Sequence, residues 1–321
     1  MSTTTETMLS MARTADGGLE PIEVPVPEPG PTEVLIGASV VGLNPVDRKT
    51  LAGRGMASEY DPEEPMVVGW DVVGVVERVG EGVTRLQRGD RVFGMPSFPW
   101  PARAYSEYVV AQSRQVAIVP DELSDLDAAP LCLSALTAWQ AIVDTLRIGD
   151  GERILIHAAA GGVGHVAVQL AASRGAEVWA TASERHHDGL RELGTAHAID
   201  YRNERFEDAA QGMDAVLDLV GLHDYPMRSL DCLRRGGRLV VIPNPDQVPA
   251  PAILEERDVT ATWMLVEPDY PALERLGRMA ATGELKPIVA AHRPLRRIEE
   301  LYELADAGAP LGKLAATVRE D

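Results

Sequence analysis

The chain has 321 residues, 45% of them hydrophobic and 25% charged, and at roughly 150 residues per domain that length suggests about two folded domains rather than a disordered chain. Aromatic residues make up only 5%, so a core must be filled by Val, Leu, Ile and Ala, as layered α/β proteins do. With 49 acidic against 30 basic residues the formal charge is −19, a field that repels phosphate backbones and anionic lipid and argues against nucleic-acid or membrane-surface partners.

The first seven residues are a polar Thr/Glu stretch without the basic and apolar regions of a signal peptide, so a cytoplasmic protein is expected. The uncharged run 154–173 has the length of a membrane span, but Gly161, Gly162 and Gly164 punctuate it, and His157, His165 and Gln169 lie within it. Two cysteines, Cys132 and Cys232, lack CxxC spacing and sit in apolar segments, where buried thiols of a reducing compartment are expected.

From the N-terminus, short apolar runs at 34–41, 66–79, 91–94, 108–111 and 115–119 are bounded by turn residues such as Pro29-Gly30 and Gly89-Asp90. They predict strands of an antiparallel or barrel-like sheet. Residues 126–146 then carry helical spacing. After them strands at 153–157, 177–181, 197–199, 215–220 and 238–242 alternate with helices at 164–174, 185–193, 204–211 and 225–233, the signature of a doubly wound parallel sheet. A Pro-rich segment follows to 251, then a strand at 259–266, helices at 270–282 and 295–307, and a last strand at 313–318.

Directly after the first strand of the alternating series the sequence reads Ala158-Ala159-Ala160-Gly161-Gly162-Val163-Gly164. This is a dinucleotide glycine fingerprint with Ala159 where the first glycine usually stands. Gly161 admits the pyrophosphate close to the backbone, Gly164 lets the helix pack on the sheet, and the helix N-terminus supplies amide donors. The cofactor is decided at the end of the second strand. An NAD site wants an acid there, whereas this chain offers the hydroxyl of Ser183 and the five-donor fork of Arg185. NADPH is favoured over NADH, with Glu184 the dissenting residue.

Six motifs stand in a telling order: Gly42-Leu43-Asn44-Pro45-Val46-Asp47, Gly69-Trp70-Asp71-Val72-Val73-Gly74, Gly89-Asp90-Arg91-Val92-Phe93-Gly94, Tyr105-Ser106-Glu107-Tyr108, the loop 158–164 and Gly312-Lys313-Leu314. Together they resemble the quinone oxidoreductase branch of the medium-chain dehydrogenase/reductase superfamily over nearly the whole chain. The resemblance implies an α/β protein with a GroES-like β-barrel catalytic domain at 1–124 and 264–321, a Rossmann domain at 125–263 between them, and a homodimer. Zinc-dependent members carry a Cys ligand and Gly-His-Glu where this chain has Asn44 and Gly69-Trp70-Asp71, with no cysteine before Cys132. No metal site is therefore expected.

The same resemblance implies reduction of a quinone or of the C=C of an α,β-unsaturated carbonyl by hydride transfer from NADPH. Asn44 and Asp47 match the family's Asn-x-x-Asp turn. Lys49 stands where bacterial quinone reductases have Tyr and enone reductases have Lys, and it is expected to bond the nicotinamide ribose or the substrate carbonyl; a solvated loop lysine is the alternative. Thr137 matches a threonine near the nicotinamide, or simply bonds its own helix. Tyr201 matches a tyrosine touching the 2′-phosphate. Val220, Gly221, Ile242 and Pro243 end the fourth and fifth strands, where backbone faces the ligand crevice. Lys313 matches a lysine able to reach the cofactor, or is a strand-edge lysine. Two rivals remain: an enoyl reductase acting on a thioester or polyketide intermediate, and a non-catalytic NADPH-binding protein.

Overall fold

A computed structural model describes residues 6–222, 224–308 and 310–318. The chain forms two compact units, one of Met1–Leu136, Glu267–Ala309 and Lys313–Asp321, the other of Thr137–Val266 and Pro310–Gly312.

The first unit opens with an antiparallel hairpin, β1 (Thr7–Arg13) and β2 (Leu19–Pro25), that the apolar runs did not signal. Strands β3 (Glu33–Gly42), β4 (Val72–Val79), β5 (Arg91–Gly94), β6 (Tyr108–Gln112) and β7 (Val116–Ile118) follow as antiparallel neighbours. Strand β3 is buried on both faces along most of its length, which is why it reads as a continuous Val/Ile/Ala run rather than an alternation. A seven-residue helix, α1 (Pro45–Leu51), leaves β3 with Pro45 at its first position, where a missing N–H does no harm.

The expected strand 66–79 begins only at Val72. Gly69 sits at φ +99°, and a Cβ there would lie 2.5 Å from the Tyr105 ring, so the backbone turns under that ring before entering β4. The expected helix 126–146 is broken as well. It consists of α2 (Asp125–Ala128), a 3₁₀ turn (Ala129–Leu131), α3 (Leu133–Trp139) and a π turn (Gln140–Thr145), because Pro130 cannot continue the helical ladder. Residues 125–136 stay with the first unit, tied by the Leu133 N–H to Asp71 at 2.9 Å, so the boundary falls later than 124.

In the second unit β8 (Arg153–Ile156), β9 (Glu177–Ala182), β10 (Thr195–Asp200), β11 (Met213–Asp218), β12 (Leu233–Val241) and β13 (Thr260–Trp263) are all parallel, in the order β10-β9-β8-β11-β12-β13. Helices α4 (Gly164–Ser173), α5 (His187–Glu192), α6 (Phe206–Ala209) and α7 (Tyr225–Cys232) alternate with them. That order is the dinucleotide-binding one, with its switch point between β8 and β11. The Pro-rich segment hides one further helix, α8 (Pro251–Arg257), again begun by proline. Leu155, Val216, Leu239 and Phe206 lie in one fully buried cluster that joins sheet to helix.

The chain returns to the first unit through α9 (Tyr270–Ala281), β14 (Val289–Pro294), α10 (Ile298–Asp306) and β15 (Lys313–Thr317), the last pairing antiparallel with β3. Residues 310–312 belong instead to the second unit, where the Gly312 N–H bonds Ala160. Both cysteines are free and buried, and burial raises both thiols, Cys232 to about 12. Among the described residues no single helix is long and apolar enough to cross a membrane.

Candidate active site

In the first unit the Asn-x-x-Asp turn caps α1. The Asp47 carboxyl accepts the Asn44 N–H at 2.6 Å, satisfying an orphan donor of the helix start, and both residues are buried. The same Oδ2 accepts the Tyr105 hydroxyl at 2.9 Å, and Tyr105 lies 2.8 Å from the Tyr302 hydroxyl. Asp47 Oδ1 has no protein partner. Burial, reinforced by Asp71, pushes the Asp47 carboxyl up to about 7 despite the Asn44 N–H, Lys313 and Tyr105, which favour its charged form.

Lys313 departs from the sequence expectation. It is 2% exposed, its ammonium pairs with Asp71 at 2.7 Å, and it donates to Asn44 Oδ1 and to Ser134 Oγ at 2.9 Å. An ammonium has three protons, so these partners leave none for a cofactor, and the reading of Lys313 as a cofactor contact gives way to a buried structural pair. The Asn44 amide in turn donates to Asp71 at 3.0 Å. Gly42 is required beside this cluster, since a Cβ there would lie 2.3 Å from Asp71 Oδ2. Lys49 is half-buried on α1, and burial together with Arg54 holds its ammonium below the ordinary lysine range.

Trp70 is fully buried, packs edge-on against Phe98 at 5.4 Å, and donates its indole N–H to Trp100 at 2.7 Å. It anchors the loop 95–101, from which Trp100 projects with 62% of its surface exposed.

In the second unit β8 runs into the glycine loop, and α4 starts at Gly164. A Cβ on Gly164 would stand 2.5 Å from the Ala158 carbonyl, so only glycine allows this strand and helix to meet so closely. Ala159 is buried and bonds Thr181, whereas Ala160, Gly161, Gly162 and Val163 keep some exposure around the turn. Thr137 is buried at the start of this unit.

Ser183 follows β9, with its Oγ 3.5 Å from the Tyr201 hydroxyl. That contact and the neighbouring Arg202 hold Tyr201 below the usual phenol range. The Arg202 guanidinium lies 5.7 Å from the centre of the Tyr201 ring. Arg185 is exposed and donates to His186 at 3.1 Å; burial, Arg185, His187 and Arg202 keep His186 below the ordinary imidazole range. Two hydroxyls, two guanidiniums and an imidazole therefore gather beyond β9. Arg202 was missed from sequence, although it directly follows Tyr201.

At the ends of β11 and β12 the Val220 N–H turns back to Asp218 at 2.8 Å, so that amide is not offered to a ligand. Gly221, at φ +71°, is packed against Pro243, and Ile242 bonds the Asp218 carbonyl. His157, at the end of β8, is a core residue. It lies 3.1 Å from both Thr181 and Ser229, and burial lowers its pKa to about 3.

Comparison with known proteins matches residues 30–121 to the alcohol dehydrogenase GroES-like domain and 193–315 to the zinc-binding dehydrogenase family. The quinone-oxidoreductase homolog of spinach chloroplasts is 30% identical over 92% of this chain and 93% of its own length. The chain belongs to the quinone oxidoreductase branch of the medium-chain dehydrogenase/reductase superfamily. The quinone oxidoreductase of Coxiella burnetii superposes with a TM-score of 0.90 at 33% identity, covering 98% of this chain and all of that one. The Escherichia coli quinone oxidoreductase solved with NADPH gives 0.86 at 26% identity, with 98% and 100% coverage. A polyketide synthase of Mycobacterium tuberculosis also matches at 31% identity over 90% of this chain, but the chain spans just 14% of that protein.

Within the superfamily, Trp70 stands at the place of the His of Gly-His-Glu in zinc-dependent members, and Asn44 and Asp71 at those of the Cys ligand and the Glu. Here Asn44 and Asp71 both hold the Lys313 ammonium. A divalent cation among these groups would meet a fixed positive charge and no thiolate or imidazole, so this donor set does not fit zinc. Among the described residues no cluster of three or more His, Cys, Asp or Glu side chains is placed to hold a metal.

Proposed function

We propose that this oxidoreductase uses NADPH to reduce a quinone or the C=C of an α,β-unsaturated carbonyl compound. The observation that carries this reading is the Lys313–Asp71 pair held by Asn44, which closes the position where a Lewis acid would polarise an unactivated carbonyl. Without that help the substrate must bring its own electron sink, and a conjugated carbonyl does. NADPH supplies the hydride when bound.

The chain's own contribution is binding and orientation. The glycine turn before α4 offers amide donors for the pyrophosphate, and Ser183, Arg185, Tyr201 and Arg202 offer hydroxyls and charge suited to a 2′-phosphate. Lys49 is the donor proposed to stabilise negative charge as it develops on the carbonyl oxygen. A polyketide-type enoyl thioester remains the second substrate class, favoured by the match to polyketide synthases. The test is NADPH oxidation against a panel of quinones, enones, enals and enoyl thioesters, with NADH in parallel. Turnover of enones or quinones with NADPH is expected; inertness toward every conjugated carbonyl, with intact NADPH binding, overturns the reading.

A further inference from the structure

The polar cluster beyond β9 contains one contact whose direction is forced. Arg185, on the 3₁₀ turn Glu184–His186, directs its Nε–H at His186 Nε2, 3.1 Å away. A guanidinium can only donate, so Nε2 carries no proton and the imidazole is neutral while this bond lasts. Ser183 precedes the turn with its Oγ 3.5 Å from the Tyr201 hydroxyl, and the Arg202 guanidinium lies 5.7 Å from the centre of the Tyr201 ring. His187, the next residue, is buried with its Nε2 3.3 Å from the Ala182 carbonyl, whereas His186 is only half-buried. Of the two imidazoles, His186 is the one a ligand at this cluster can reach.

We infer that His186 is a proton-taking member of the 2′-phosphate site: neutral and bonded to Arg185 in the cofactor-free protein, it takes up a proton when the phosphate binds, and both side chains then donate to the anion. The inference rests on the proposed use of NADPH. In the step, a proton from solvent adds to the lone pair on His186 Nε2. The Arg185 Nε–H loses its acceptor and turns to the phosphate, and the site gains one positive charge as the anion arrives. NADPH is therefore bound more tightly as pH falls, while NADH, without a 2′-phosphate, gains nothing from His186.

The groups acting on this imidazole come from three elements. Burial of the ring, Arg185 on its own turn, His187 on α5 and Arg202 just after β10 together hold His186 below the ordinary imidazole range, so it is neutral at pH 7. The acids of the region are engaged elsewhere or exposed. Asp188 accepts Arg191 at 2.7 Å, Asp200 accepts the Arg202 N–H at 3.2 Å and the Asn203 amide at 2.7 Å, and Glu184 is exposed on the turn itself. A phosphate monoester carries a charge of about −1.5 to −2 near neutrality. Set among these cations it offsets the repulsion that keeps His186 neutral, and an opposite charge at about 4–6 Å strengthens a group's hold on its proton by roughly tenfold or more.

His186→Gln keeps an oxygen that can accept the Arg185 Nε–H but cannot take a proton. Binding calorimetry in buffers of different ionisation heat should show the parent taking up about half a proton more per NADPH at pH 6.5 than the variant, and a parental Kd that tightens roughly tenfold more than the variant's between pH 8 and pH 5.5. The 2′-phosphate itself titrates near pH 6, a contribution common to both proteins. With NADH the two proteins should agree. Preference for NADPH with equal proton uptake and equal pH slopes in parent and variant overturns the inference alone; a parent that binds NADPH no more tightly than NADH overturns the cofactor reading and the inference together. Imidazole NMR of the cofactor-free protein checks the contact without any ligand: His186 should titrate below about 6.5 and move up in Arg185→Ala. An unmoved midpoint overturns the inference even where NADPH binds.

Discussion

At the scale of single residues, the second unit's specificity rests on charge. Arg185 and Arg202 lie around Ser183 and Tyr201. Arg185→Ala should weaken NADPH binding by about 1.5–3 kcal/mol, the worth of a charged hydrogen bond, and leave NADH nearly unaffected. Fluorescence titration with both cofactors checks it, and equal losses would remove Arg185 from the 2′-phosphate. Lys49 is half-buried with its proton affinity lowered, as suits a donor that strengthens its bond when an oxyanion forms. Lys49→Met should reduce kcat/KM by roughly 10²-fold with unchanged melting, whereas parental kinetics would mark it as a loop lysine.

At the scale of elements, α1 is a short helix with its cap buried, and its capping acid carries the pH response of the first unit. Asp47 titrates near 7 in the folded protein against about 3.9 when unfolded. The folded state therefore binds this proton more tightly, so the group's stabilising contribution is full below about pH 4 and is lost as pH rises through 7. The loss amounts to up to about 4 kcal/mol for so buried a group. Urea unfolding between pH 4 and 8 should show this decline superimposed on other titrations, and Asp47→Asn should flatten it. An equal slope in the variant would mean that Asp47 ionises as readily inside the protein as outside. The turn was legible in sequence as a match to the family's Asn-x-x-Asp motif. The pKa was not, because it depends on Asp71, Lys313 and Tyr105 arriving from distant parts of the chain.

At the scale of the whole chain, the last strand is fastened to the first unit by a buried charge as well as by its pairing with β3 and β14. Lys313 reaches Asn44, Asp71 and Ser134 across separations of up to 269 residues. Lys313→Met should cost about 3–5 kcal/mol, because it strands a buried Asp71 carboxyl. Adding Asp71→Asn should restore part of that loss, since the stranded charge is then gone. Denaturant midpoints of the two variants decide it, and a Lys313→Met protein of parental stability would mean that Asp71 finds another partner.

The sequence by itself determined the two-unit α/β architecture, the βαβ alternation of a doubly wound parallel sheet, the glycine turn and the superfamily. Each of these depends on local period or on short motifs whose conformational meaning travels with them. It did not show the β1–β2 hairpin, whose Pro- and Glu-rich second strand hides its alternation, nor α8, which starts within a Pro-rich stretch. It placed a boundary at 124, whereas residues 125–136 pack with the strands of the first unit, which local periodicity does not encode. Only the tertiary structure decided what the buried polar residues do. Asn44, Asp47, Asp71, Tyr105, Tyr302 and Lys313 read individually as turn, strand and helix residues. Their hydrogen bonds and proton affinities arise when five separate segments bring them together, all but the half-buried Tyr302 fully buried, where donors must find acceptors.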